Sequence, residues 1–424
     1  MADFAKLSRG QLDEMREALR QRYAEFESMG LALDMTRGKP CPEQLDLSAP
    51  LLELPGRSDY MSADGVDCRN YGGLDGLPEA KTLLGRYLEL PPEQVIVGGN
   101  SSLTMMHDTV VRALLHGVPD GQGPWIGRPV KFLCPSPGYD RHFGICESLG
   151  IEMIAVDMDD HGPDMAQVTR LVADDAALKG MWCVPRYSNP TGVTYSGDVV
   201  EGLAGMRTAA PDFRIFWDNA YAVHHLSDAP EPLARILEAC EGAGNPNRPL
   251  LFASTSKISL AGSGLAAMGA SRENVEDAKR HLARQVIGPD KINQLRHLRF
   301  FRDLEGIHAH MRRHAAIIKP KFEAVLAVFE RELAGKGVAR WSRPQGGYFI
   351  SVDTLEGCAR EVVHLAAEAG VKLTPAGATF PYGRDPRDRN IRIAPTFPRL
   401  EDIDVAMQVV AVCVQLAAAR KLLG

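Results

Sequence analysis

The chain has 424 residues, is 45% hydrophobic and 24% charged, and carries a net charge of −6. These are ordinary globular values for a chain too long for one small core, and the mild acidity excludes the basic field that nucleic-acid binding needs. Eight scattered cysteines, with no C-x-x-C pair and no metal-ligand spacing, point to reduced thiols in a cytoplasm and to no metal site.

The N-terminus, MADFAKLSRGQLDEMREALRQRYAEF, is too charged for a signal peptide, and no apolar run is expected to span a membrane. Residues 8–29 carry helical periodicity, with Leu12, Met15, Leu19, Tyr23 and Phe26 on one side. The next segment, LDMTRGKPCPEQLDLS, is irregular and holds Gly and Pro breakers. From about residue 75 to 270, helical stretches alternate with seven short apolar runs: VIVGG (95–99), KFLC (131–134), IEMIAV (151–156), MWCVP (181–185), RIFW (214–217), LLFAS (250–254) and LAAMGA (265–270). Such alternation predicts an α/β fold with a mostly parallel seven-stranded sheet, whose ligands bind beyond the carboxyl ends of the strands. Long helices are expected over 275–335, then strands at GGYFISVD (346–353) and NIRIAP (390–395), a helix at 357–369 and a last helix at about 400–421. This tail reads as a smaller α+β unit. The expected division is residues 1–50 joining the small domain, 51–320 as the large domain and 321–424 as the C-terminal small domain.

The chemistry sits at the strand ends. VIVGG runs into Asn100, Ser101 and Ser102, which open a helix, and a helix N-terminus with free N–H groups suits a phosphate. The same residue types also serve as ordinary helix caps. KFLC leads to Tyr139, which offers a flat ring, and MWCVP leads to Asn189 in an Asn-Pro-Thr-Gly turn. RIFW ends at Asp218, with Tyr221 just beyond, and a buried acid there needs a cationic partner. LLFAS ends in Ser254-Thr-Ser-Lys257, and a lysine among small residues at such a place suits Schiff-base chemistry. Each signal alone has a structural reading: cap, packing ring, turn or salt bridge. In this order on one sheet they fit pyridoxal 5'-phosphate, whose aldehyde needs the lysine and whose ring nitrogen needs the aspartate.

At these residues the sequence resembles the fold-type I pyridoxal-phosphate aminotransferases over nearly its whole length. TRGKP (36–40), PSPGYDRHF (135–143), SNPTG (188–192), DNAY (218–221), STSK with AGSG (254–264) and NIRIAPTFP (390–398) resemble the aspartate aminotransferase group related to the aminotransferase-like domain of MocR regulators. The regulators carry an N-terminal DNA-binding domain, for which there is no room before TRGKP, so the enzyme is expected. The resemblance implies that Lys257 holds the cofactor and moves the substrate proton, that Asp218 pairs with the ring nitrogen, and that Tyr221 and Asn189 bond the ring oxygen. It further implies that Tyr139 stacks on the ring and that Ser101, Ser102 and Ser254 hold the phosphate. Tyr71, in YGGLDG, matches a tyrosine sent across a homodimer interface to the neighbouring phosphate. Arg392 matches the arginine that forks onto the substrate α-carboxylate, and Gly38 the glycine that closes over the substrate. One departure is Leu265, where many members place a phosphate-binding arginine; Ser263 and nearby N–H groups are the expected substitute.

The expected reaction passes the amine of aspartate to 2-oxoglutarate in two half-reactions. Arg37 and Arg186 lead Lys39 and Arg141 as candidates for the second substrate carboxylate. The same residues would also serve other amino acids, lyase chemistry or a non-enzymatic cofactor sensor. The S-x-x-K reading of Ser254–Lys257 lacks the later motifs of penicillin-binding enzymes. Gly262-x-Gly264 lacks the rest of a dinucleotide loop. His308, His310 and His314, a conceivable zinc set, lie among arginines that suggest a solvated helix face.

Overall fold

The computed structural model describes residues 3–424. All seven apolar runs form strands, and an eighth, the two-residue Gly162–Pro163, extends the edge. From edge to edge the sheet runs Val95–Val97, Ala266–Ala270, Pro249–Ser254, Arg214–Asp218, Leu178–Cys183, Lys131–Ser136, Glu152–Asp159 and Gly162–Pro163. The four strands from Pro249–Ser254 to Lys131–Ser136 are parallel to one another, as is Glu152–Asp159. Ala266–Ala270 is antiparallel to both its neighbours. The expected seven-stranded sheet thus gains a short antiparallel appendage, too brief for any periodicity to announce.

The apolar runs are continuous because the sheet is buried on both faces. Leu133, Met181, Ile215, Trp217 and Leu251 join one core, and Phe132, Cys134, Trp182, Phe216 and Phe252 the other. Strand alternation places Asp218 on the same side as Phe216, toward the helix Asp140–Ser148.

A further core gathers distant parts of the chain. Leu12, Leu19 and Tyr23 of the helix Arg9–Ser28 pack with residues from Phe322 to Ala419. That first helix opens on Ser8, whose side chain and that of Gln11 form a capping box. The strands Ala339–Trp341, Ile350–Thr354 and Asn390–Ile393 form an antiparallel sheet in this region. Within the segment read as irregular, Leu33–Asp34 pairs in parallel with Val371–Lys372. That contact anchors the approach to Gly38. The helix Leu400–Leu423 is long and apolar enough, by length and composition alone, to cross a membrane. The expectation that no such run existed is corrected, and the reason for its composition is visible: residues Ile403 to Ala419 fill the further core.

Candidate active site

The carboxyl ends of the central strands open on a cavity of about 160 Å³. Ser101, Ser102, Tyr139, Asn189, Asp218, Tyr221, Ser254 and Lys257 line it, as does Ser256. Residues scattered over more than 150 positions converge because each ends or follows a strand of one sheet.

Lys257 closes a single 3-10 turn, Thr255–Lys257, capped by the Ser254 side chain on the Ser256 N–H. Its ammonium lies 5.2 Å from the centre of the Tyr221 ring. Burial lowers its pKa, and the Asp218 charge opposes that shift. Asp218 is 3% exposed. One of its oxygens, Oδ2, is 3.0 Å from His142 Nε2, while Oδ1 is buried with no partner among the described residues. His142 stacks on Trp182 with ring centres 4.5 Å apart. Tyr139, just before the same helix, has its hydroxyl pKa pushed up to about 12, first by burial and then by the charge of Asp218. Burial also raises that of Tyr221.

At one end of the cavity the helix Ser102–His116 begins, with Ser101 as its cap. Its first N–H groups have no acceptor within the helix. The hydroxyls of Ser254 and Ser256 both donate to the Asn100 carbonyl, at 2.9 and 2.8 Å. The Asn100 side chain turns instead to Gly262 O, at 3.0 Å. Leu265 is 2% exposed and belongs to the core, with its N–H on Thr255 Oγ1. Ser263 is not among the lining residues. Its N–H is taken by Leu260 O and its carbonyl by Asn293 Nδ2. Where many members place the arginine, Ser254 and Ser256 line the cavity, and Ser263 does not.

At the other end, Arg392 projects from the strand Asn390–Ile393. Its Nη1 lies 3.3 Å from Asn189 Oδ1 and 3.1 Å from Asp140 Oδ1, its Nη2 3.4 Å from Thr374 Oγ1, and its Nε is buried and unpartnered. The Phe349 ring centre is 5.0 Å from the guanidinium carbon. Gly38 crosses that same ring so closely that a Cβ would fall 2.1 Å from Phe349 Cζ. Gly38 thus sits against the wall that carries Arg392.

The two arginine candidates lie elsewhere. Arg37 is exposed, with Nε 3.5 Å from Asp34 Oδ2. Arg186 donates to Glu231 O at 3.0 Å and does not line the cavity. Nearness in sequence to Asn189 did not fix its direction, and its guanidinium goes to Glu231 instead. Tyr71 is 80% exposed and also outside the cavity of its own chain. His310 and His314 are buried, not solvated: their Nε2 atoms are 3.0 Å apart, and Gln44 Nε2 meets His314 Nδ1 at 2.9 Å. No group of three or more potential metal ligands occurs among the described residues.

His142, Ser256 and Phe349 are site neighbours that the sequence reading did not single out. His142 lies within the quoted PSPGYDRHF and Ser256 within STSK, so their motifs held the signal. Phe349 lies in the strand signal GGYFISVD, where nothing marks it as more than core.

An open, mostly parallel sheet with a lysine after one strand and an aspartate ending the next, beside a helix N-terminus, defines the fold-type I architecture of pyridoxal-phosphate-dependent enzymes. The chain belongs to the aspartate amino-transferase family, whose model matches residues 7–424. It is 49% identical over 404 residues to an aspartate aminotransferase of Corynebacterium glutamicum, covering 95% of this chain and 93% of that protein. The crystal structure of an aspartate transaminase from the same organism superimposes with a TM-score of 0.97 at 47% identity, covering 99% of each chain. The fold alone is shared with an α-aminoadipate aminotransferase from Thermus thermophilus complexed with N-(5'-phosphopyridoxyl)-L-leucine, at TM-score 0.72, 20% identity and 92% of each chain. The protein is an aminotransferase, and its family implies pyridoxal phosphate as cofactor.

Proposed function

We propose that this aminotransferase passes the amino group of aspartate to 2-oxoglutarate, using pyridoxal 5'-phosphate held in the cavity around Lys257. The observation that carries the reading is the unpartnered, buried Asp218 Oδ1 in the same cavity as Lys257. A buried carboxylate oxygen left alone is costly. A protonated ring nitrogen would satisfy it, and His142 engages the other oxygen. When bound, the cofactor supplies an electron-withdrawing ring that stabilises the charge left on the substrate Cα.

The chain's own groups then divide the work. Lys257, kept low in pKa by burial, would take the proton from the substrate Cα and deliver it to the C4' carbon of the bound cofactor, so that the amine stays behind when the oxo acid leaves. Tyr139 would stack on the ring, and Tyr221 and Asn189 would bond its oxygen. Ser101, Ser102, Ser254 and the opening of the helix Ser102–His116 would hold the phosphate, with the Asn100 carbonyl fixing Ser254 and Ser256. Arg392 grips the α-carboxylate bidentately. Gly38 lets the 36–40 segment lie against Phe349, and Arg37 beside it is the proposed contact for the second carboxylate. Arg186 would first have to release Glu231. Aspartate leaves as oxaloacetate, and 2-oxoglutarate collects the amine and leaves as glutamate.

The reading includes a homodimer in which Tyr71 reaches the neighbour's phosphate, supported by the exposure of that ring. It includes the division at residues 50 and 320, supported by the core that joins Phe4–Met35 to Phe322–Ala419. A cytoplasmic site is supported by eight free, buried cysteines. The test is steady-state kinetics of Arg392→Gln. We expect kcat/KM for aspartate to fall roughly a hundredfold, as for a lost charge-assisted pair, with cofactor retention unchanged on dialysis. An unchanged kcat/KM, or wild-type turnover of alanine equal to that of aspartate, would contradict the reading.

A further inference from the structure

Lys291 is 3% exposed, yet its charge is not spent on a carboxylate in the cavity. It opens the helix Lys291–Phe301, whose cap is Asp290. Its ammonium donates to Asn70 O and to Gly72 O, both at 2.7 Å. These carbonyls bracket Tyr71. The Tyr71 N–H is in turn held by Asn70 Oδ1 at 2.8 Å. The backbone around Tyr71 is thus pinned at three points, while its side chain is 80% exposed. The strap lies so close to the turn before this helix that a Cβ on Gly288 would fall 2.4 Å from Gly72 O.

Sequestering an ammonium against neutral carbonyls is expensive, and an apolar side chain would fill the same space at less cost. The arrangement makes sense if fixing the strap matters more than that cost. An exposed aromatic side chain on a pinned backbone is a pre-organised contact: its ordering entropy is lost on folding instead of on binding. The same helical turn also holds the loop after Lys257, since Asn293 Nδ2 donates to Ser263 O and Gly264 O at 3.1 and 3.0 Å.

We propose that Lys291 is a positioning residue that presents Tyr71 to the cofactor phosphate of the neighbouring subunit. This rests on the proposed role of Tyr71. It assigns Lys291 no contact with substrate or cofactor; it acts through the Asn70–Gly72 strap.

The experiment is a double-mutant cycle on the holoenzyme, read as the equilibrium dissociation constant of pyridoxal 5'-phosphate, with a thermal melt of each variant beside it. Lys291→Met and Tyr71→Phe are each expected to weaken cofactor binding roughly tenfold, and the double variant to be no weaker than Tyr71→Phe alone. Gly288→Ala, which displaces Gly72 and leaves the ammonium intact, is expected to give a loss that also disappears in the Tyr71→Phe background, and it stands in if Lys291→Met does not fold. A Tyr71→Phe loss with no effect of Lys291→Met or Gly288→Ala would overturn the positioning role. So would losses that multiply fully in the double variant. No effect of Tyr71→Phe would overturn the reading of Tyr71 itself.

Discussion

Asp140 sets a carboxylate 3.1 Å from Arg392, at the guanidinium proposed to receive the substrate. The pair is half-buried on the aspartate side, so it is worth at most about 1 kcal/mol. An incoming α-carboxylate has to displace or tolerate that charge. Asp140→Asn is therefore expected to lower KM for both aspartate and 2-oxoglutarate, by up to about fivefold, with cofactor affinity unchanged. A raised KM in steady-state assays would show that Asp140 supports the substrate instead of competing with it. At this scale much of the site was legible. Asp218, Asn189 and Lys257 are polar groups where buried apolar strands end, and such groups must meet something. What was not legible is direction across space. His142 meets Asp218 only because the helix Asp140–Ser148 packs on one face of the sheet. Arg186 sits three residues from Asn189 and yet turns toward Glu231.

The helices behind the site carry three buried histidines. His297 belongs to Lys291–Phe301, and His310 and His314 belong to Leu304–Leu333. His297 and His310 meet Ser259 Oγ and Ile258 O, bracing the segment just after Lys257, while His314 meets Gln44 Nε2. Burial pushes His297 and His310 down to about 4 and His314 down to about 3, from an ordinary value of 6.5. Below about pH 6.5 the unfolded chain therefore binds protons that the folded chain refuses. Stability is full above that pH and is lost as pH falls toward 4, with a slope of up to about 1.4 kcal/mol per pH unit for each group. The urea midpoint is expected to drop between pH 7 and pH 5, and the drop to be smaller in His297→Gln and His314→Gln. An equal drop in those variants would remove the histidines from the account. His310 and His314 were expected on a solvated helix face and are buried, because flanking arginines mark a helix as partly solvated without saying which side. Leu33–Asp34 escaped the reading for another reason: two residues have no period, and their partner lies at Val371–Lys372.

Over the whole molecule, the site stands where two packing units meet. The strand ends of the large sheet supply Lys257, Asp218 and Tyr221 and lead to the helix Ser102–His116, while Arg392 comes from the small antiparallel sheet and Gly38 from the N-terminal segment. The alternating apolar runs made the large sheet readable, since strands buried on both faces cannot hide their composition. The further core was readable only in outline. Its helix Leu400–Leu423 is apolar nearly all round, which composition alone cannot separate from a membrane span. On the proposed function, one cavity carries a single amine between two acids. The most direct test is the oxaloacetate released when the purified holoenzyme meets aspartate with no 2-oxoglutarate present. The expected result is one equivalent per site, after which release stops until 2-oxoglutarate is added and glutamate forms. No oxaloacetate, or product that keeps accumulating without an acceptor, would contradict the claim.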